Sequence, residues 1–339
     1  MRTLLLAVAF ATVSLAWALE DTKDVWDLDV PAPTVALRPD SVDLAGYACA
    51  ACHAEVAREW AQTAHAISWA DELYRQAIGE RKRPQLCHSC HVPQPLLAAG
   101  LVKRARARDE DLHRGISCES CHAGPDGTML GPRGAPTSAH PSAKSEHMLA
   151  PGSNALCATC HRTNIGPVVG IAKDFEAARM NERGRSCIGC HMAAVERRWA
   201  NPPDDPDGVD EDVPLRLGRS HLIQTPRDPT FLRRAFDVSL STDGGRVRVV
   251  IANRAGHRVP GLQGREIRFE AQALDASGEV VARGELVLDV RAYLPVDGSL
   301  EIPLEPVPAG SAEVRVIGLH VDPRAVAPTT FLDLRLTEE

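Results

Sequence analysis

Ten cysteines fall into five words of one form: Cys49-Ala-Ala-Cys52-His53, Cys87-His-Ser-Cys90-His91, Cys118-Glu-Ser-Cys121-His122, Cys157-Ala-Thr-Cys160-His161 and Cys187-Ile-Gly-Cys190-His191. None is left over. Thiols so spaced can close disulfides or, two pairs at a time, hold zinc. Neither chemistry asks for a histidine directly after every pair. Covalent haem attachment does. Thiols at i and i+3 lie on one side of a helical turn and can bond the two vinyl-derived carbons of one haem edge, and the next residue brings an imidazole under the iron. The words imply five covalently bound haem c groups with proximal ligands His53, His91, His122, His161 and His191. His88, between two cysteines, faces away and is read as a supporting or solvent-side group.

A low-spin electron-transfer haem takes a second ligand, commonly His or Met. Methionine is scarce beyond the leader (Met129, Met148, Met180, Met192), so bis-histidine ligation is expected. The remaining histidines are His65, His88, His113, His140, His147, His221, His257 and His320. Residues 54–70 read as one helix, free of Gly and Pro, with Val56, Trp60, Ala64 and Ile67 on one face. If continuous, it sets His65 about 18 Å along the axis from His53, whereas two nitrogens on one iron lie about 4 Å apart. His65 is therefore expected on a different haem. His113 precedes the third word. His140 and His147 sit in the Gly/Pro-rich stretch 124–152, and at least one of them is expected to reach an iron. His221 follows the acidic, Pro-rich stretch 201–214.

The fifth candidate, His257, is the centre of Asn253-Arg-Ala-Gly256-His257-Arg-Val-Pro260-Gly261. Gly256 permits an unusual turn and Pro260 stiffens the far side, so the imidazole can be held outward. The alternative is a loop histidine bonded to its own backbone.

Five haems share the 143 residues from Cys49 to His191, too little chain to wrap each one separately. The haems must pack on one another and form the core, an arrangement that conducts electrons. An aromatic content of 4% agrees, since porphyrins supply the flat apolar mass. The basic run Lys103-Arg104-Ala105-Arg106-Ala107-Arg108 suits haem propionates or an acidic partner; its plainer reading is a solvated helix face.

Three pieces resemble the multihaem cytochromes c of the superfamily that includes hydroxylamine oxidoreductase, pentahaem nitrite reductase and their tetrahaem electron acceptors. They are the first word with Trp60 and Thr63-x-His65, Gly115-Ile-Ser-Cys118-Glu-Ser-Cys121-His122 with His113 upstream, and the Cys187 to Met192 ending. The resemblance implies distal-ligand roles for His65 and His113. It also implies what is missing. All five words end in histidine, where such nitrite reductases carry a lysine-ligated catalytic haem, and only Tyr47, Tyr74 and Tyr293 exist to match the cross-linked tyrosine of hydroxylamine oxidoreductases.

From Phe231 the pattern changes to short alternating runs, at 235–240, 246–251, 266–273, 280–290, 313–320 and 331–336, with turns such as Asp243-Gly244-Gly245 between them. This predicts a β-sandwich of immunoglobulin-like type. Phrases similar to the one around His257 recur in such domains fused to multihaem cytochromes. The expected organisation is a signal peptide (1–18), an N-terminal extension (19–45), a mainly α and irregular pentahaem cytochrome c domain (46–200), an acidic linker and connecting segment (201–230) and an all-β domain (231–339). The leader has a basic start, an apolar run too short for a bilayer, and an Ala16-Trp17-Ala18 cleavage signal, so a periplasmic or secreted protein is expected. No later segment reads as a membrane span. A net charge of −7 argues against nucleic acid.

The function expected is electron transfer between redox partner proteins, with no catalytic residue assigned and the β domain docked on the haem domain or a partner. Two rivals are an oxidoreductase whose open-site haem acts on a small nitrogen or sulfur compound, and a subunit of a conducting cytochrome filament.

Overall fold

A computed structural model describes residues 42–102, 105–134, 137–165, 168–201, 211–243, 246–262, 264–305 and 313–337. The expected signal peptide, most of the extension, Lys103 and Arg104, residues 202–210 and the Gly244-Gly245 turn lie outside them. Helices α1 (Ala54–Ala61), α2 (Glu72–Gly79), α3 (Gln85–His91), α4 (Cys118–His122), α5 (Ser153–His161), α6 (Ile171–Ala177), α7 (Cys187–His191) and α8 (Pro229–Arg233) are all short. Among the described residues none is long and apolar enough to cross a membrane. The described chain divides into two compact units, one built from 42–159 and 184–223, the other from 160–183 and 224–337.

Each Cys-x-x-Cys-His word is a single helical turn, as the attachment geometry requires, and all but the end of the fourth, Cys160-His161, belong to the first unit. Four words close helices α3, α4, α5 and α7, and the first runs from a 3-10 turn at Ala48–Ala51 into His53, the N-cap of α1. Serines start two of the turns: Ser117 N–H donates to Ser120 Oγ at 3.1 Å, and Ser186 Oγ accepts from Gly189 N–H at 3.0 Å.

Helix α1 does not continue to residue 70. It ends at Ala61, and the chain turns from Gln62 onward. The Thr63 hydroxyl donates to the Trp60 carbonyl at 2.7 Å and the Thr63 N–H binds the same oxygen at 2.9 Å, occupying the acceptor that another helical turn would use. The axial distance inferred from an unbroken helix therefore does not apply to His65.

Two small ribbons complete this unit. Strands β1 (Met129–Gly131) and β2 (Ser142–Lys144) pair parallel, and β3 (Ala194–Arg197) pairs antiparallel with β4 (Arg216–Arg219). The β3–β4 pair flanks the acidic 201–214 stretch on both sides, so Arg216–Arg219 belongs to the same unit as Ala194–Arg197, and the chain passes to the other unit after Ile223. Gly218 in β4 is required by packing: a Cβ there would lie 1.9 Å from Trp199 Cζ2.

The second unit carries seven antiparallel strands, β5 (Phe236–Asp243), β6 (Arg246–Asn253), β7 (Glu266–Leu274), β8 (Val280–Leu288), β9 (Ser299–Leu304), β10 (Glu313–Val321) and β11 (Thr329–Leu336). They form a four-stranded sheet in the order β11-β10-β7-β8 and a three-stranded sheet in the order β5-β6-β9. Alternate residues of both sheets, among them Phe236, Ile251, Phe269, Leu288, Ile302, Leu304, Val316 and Phe331, meet in one apolar core. Strand β9, Ser-Leu-Glu-Ile-Pro-Leu, escapes the sequence pattern because Pro303 argues against a strand. It is the edge of its sheet, where a missing N–H is tolerated.

One polar side chain in this unit sets a pH limit. His320 in β10 is 3% exposed and its Nε2 has no hydrogen-bond partner. Burial first, then Arg265, push its pKa down to about 4, with Asp322 raising it and Arg227 adding a smaller lowering effect. Below pH ~6.5 the unfolded chain binds a proton that the folded unit refuses until about pH 4, so stability falls as pH drops through that window, by roughly 1–3 kcal/mol. Calorimetry should show the β unit melting lower at pH 4.5 than at pH 7, with the difference reduced in His320→Gln. An unchanged difference in that variant would place the acid sensitivity elsewhere.

Candidate functional site

Seven of the candidate ligands share one orientation. His91 Nδ1 faces the Ser68 carbonyl at 2.6 Å, His122 faces Leu130 O at 2.8 Å, His221 faces Arg219 O at 3.0 Å and His257 faces Arg258 O at 2.8 Å. His53 Nδ1 meets Trp199 O, and His140 and His147 meet Pro141 O and Gly152 O, both at 3.3 Å. A carbonyl can only accept, so Nδ1 carries the proton and Nε2 keeps the lone pair that binds a metal. Burial, in each case the largest cause, lowers the pKa of His91, His122 and His257, and takes His221 down to about 3. These imidazoles are neutral at pH 7, the state a ligand requires.

Ring geometry pairs several of them. Two imidazoles on opposite sides of one iron have ring centres about 6 Å apart. His53 and His140 stand at 6.4 Å with 37° between planes, and His122 and His221 at 5.9 Å with 30°. In the second unit His257 lies within electrostatic reach of His161. The Sγ atoms of Cys49 and Cys118 hydrogen-bond one another, which sets the first and third words side by side. All ten cysteines are free of disulfides. Paired thiols beside paired, Nε2-basic imidazoles fit covalent haem. Among the described residues no group of three or more His, Cys, Asp or Glu side chains gathers as a zinc site would need.

The other candidates are placed less directly. The His65 carbonyl accepts from Ile116 N–H at 3.0 Å, and Ser68 Oγ donates to His91 O at 2.8 Å, so 65–68 is held beside the second and third words. Gly115 (φ +55°) makes that approach possible, since a Cβ there would stand 2.5 Å from Ala66 O. His113 is exposed on the turn Leu112–Arg114. His147 lies on the turn Glu146–Met148, and farther along Asn154 Oδ1 accepts from Cys187 N–H at 2.7 Å, in the fifth word. Neither His113 nor His147 is set ring to ring against a proximal histidine among the described residues. His88 stands edge-on to Trp69 at 5.1 Å with Nε2 buried.

Two features have no counterpart in the sequence reading. Tyr74 lies flat on His91, ring centres 3.6 Å apart and planes 8° apart. Around His257, Asn253 Nδ2 donates to the carbonyls of His257, Leu294 and Pro295 at 3.0, 3.1 and 2.9 Å, while its Oδ1 accepts from Ala255 N–H at 2.8 Å. Arg258 forks onto Asp174 at 2.5 and 2.8 Å and lies 4.2 Å from the centre of the Tyr293 ring. Asn253 stands in the quoted phrase, and only its side-chain contacts reveal what it does.

Compared by sequence, residues 48–123 match the family model described as cytochrome c554 and c-prime, and no curated protein matches the chain. Compared by structure, the chain is similar to a penta-heme cytochrome c552 from Thermochromatium tepidum, with a TM-score of 0.55 and 18% identity, over 85% of this chain and 97% of that one.

Proposed function

We propose that the protein, whose residues 48–123 match the cytochrome c554 and c-prime family model, carries five covalent haem c groups and passes electrons between redox partner proteins outside the cytoplasm. The observation that carries this reading is the set of imidazoles held with Nδ1 on a carbonyl and the basic lone pair on Nε2, two pairs of them at the spacing of ligands on one iron. When bound, haem supplies reversible one-electron chemistry at its iron.

The polypeptide's part is to hold and enclose. His53 and His140 hold one haem, His122 and His221 another, and His161 and His257 a third. His65, His113 and His147 are left for the haems of His91 and His191. With Cys49 beside Cys118, the haems of the first and third words would lie near one another. No catalytic group is needed. The strand order of the β unit, with its fourth strand beside the third, supports an immunoglobulin-like sandwich whose role here is to present His257.

Low-temperature EPR of the oxidised protein tests this reading. Five low-spin ferric haems are expected, and a stoichiometric high-spin signal would move the assignment to an open-site oxidoreductase. A smaller effect is expected at Tyr74. Because its ring lies on the face of His91, Tyr74→Leu should shift the g-values of one low-spin haem, while Tyr74→Phe leaves them in place. Equal spectra from both variants would show that the stack does not orient the ligand.

A further inference from the structure

We propose that Glu59, a residue of α1 with no part in attaching haem, is a positioning residue for the distal ligand His221 and that Arg197 holds it in place. The inference rests on the reading of His221 as the ligand opposite His122.

Glu59 Oε2 accepts the backbone N–H of His221 at 2.7 Å, and Oε1 accepts Arg197 Nη2 at 2.6 Å. The side chains are 23% and 10% exposed, so both bonds are charge-assisted and partly shielded from water. Arg197 is itself fixed, with its guanidinium 4.9 Å from the centre of the Trp199 ring and a weaker contact to Glu55 at 3.4 Å. Trp199 donates from Nε1 to Arg216 O at 2.7 Å, and its carbonyl receives His53 Nδ1. The β3–β4 ribbon therefore supports the first word's proximal histidine from one side, and just beyond it the chain delivers His221 toward His122.

What fixes His221 is a small set of bonds. Its ring is tied to Arg219 O, two residues back, at 3.0 Å, and its main chain is tied to Glu59. The ring bond sets the tautomer and turns with the local backbone, whereas the Glu59 bond anchors that backbone to a different element. Without the carboxylate, the His221 N–H and the Arg197 guanidinium lose their shared acceptor, and the imidazole keeps its tautomer while losing its placement. Glutamine at 59 retains one acceptor oxygen for the His221 N–H; alanine retains none.

The test uses the full-length, haem-loaded protein, with carbon monoxide added to the dithionite-reduced form. In His221→Ala one of five haems should bind carbon monoxide. In Glu59→Ala the same haem should bind it about tenfold faster than in the wild type, the loss expected for one charge-assisted bond. Glu59→Gln should stay close to the wild type, and the Glu59→Ala/His221→Ala double variant should still titrate one haem. If Glu59→Ala does not accumulate, Arg197→Met, which frees the carboxylate, should speed binding at that haem. A reactive His221→Ala beside an unreactive Glu59→Ala or Arg197→Met overturns the inference and leaves the ligand reading standing. Two reactive haems in the double variant overturn it as well, since the effect would then be general loosening. An unreactive His221→Ala removes the ligand reading itself.

Discussion

Produced in cells that cannot attach haem, the chain should keep its β unit folded and lose its haem unit almost entirely. The two units differ in what they bury. In the β unit twenty buried apolar residues join one cluster from Leu232 to Leu332. In the other unit the apolar cluster consists of Tyr47, Trp60, Ala61 and Ala66, with Val42, Leu44, Ala50 and Ile67 against it. That small cluster, together with further buried residues such as Tyr74, Val92, Leu96 and Leu156, cannot offset the conformational entropy of more than a hundred residues, at ~1–2 kcal/mol each. Covalent haem is then folding free energy for that unit, as a structural metal is for a small domain. Circular dichroism of the haem-free chain should retain the β signal and lose the helical one, and limited proteolysis should leave a protected core within 224–337. Helix content equal to that of the haem-loaded protein would show that the polypeptide has a core of its own.

The attachment words are legible in the sequence because each is contiguous: five residues carry both the covalent chemistry and one ligand, and local helix geometry does the rest. Distal ligands are different. That His140 stands opposite His53, and His221 opposite His122, is set by chain returning from 87 and 99 positions away. What would suit each imidazole to a ligand's role is a backbone carbonyl at Nδ1, a group every residue carries and no side-chain pattern reveals.

The β strands were legible wherever alternation ran unbroken, and β9 was hidden by Pro303. The early end of α1 was hidden for a related reason. Apolar periodicity runs on through Ala64 and Ile67, while the Thr63 hydroxyl competes for the acceptor that propagation needs. The acidic 201–214 stretch has the composition of a linker, and only the pairing of Ala194–Arg197 with Arg216–Arg219 shows that the chain turns back there.

Changing His257 to alanine should open one haem of five, so that the reduced variant binds carbon monoxide stoichiometrically at a single iron while all five haems stay attached. The two readings of this loop histidine are compatible: its Nδ1 bonds its own backbone, at Arg258 O, and that bond puts the proton on Nδ1 and the basic lone pair on Nε2. The loop is built to hold the ring still. Asn253 ties three carbonyls and one N–H around it, and Arg258, the next residue, forks onto Asp174. Gly256 and Gly261 leave room for neighbours that a Cβ would strike, Phe175 at 2.7 Å and Ile171 at 2.5 Å. Both neighbours lie on α6, which follows His161 within the same unit, and His161 is within electrostatic reach of the ring. So much anchoring of a neutral, partly buried imidazole near His161 is what an iron ligand requires and what a surface loop does not. Asn253→Ala should act in the same direction but more weakly, because it loosens the loop and leaves the ligand present. A loss of about 1–3 kcal/mol in loop anchoring is expected to appear as faster carbon monoxide binding at that haem, with low-spin EPR retained at rest. If His257→Ala stays unreactive toward carbon monoxide, the loop serves the sandwich alone and the haem of His161 takes its second ligand from elsewhere.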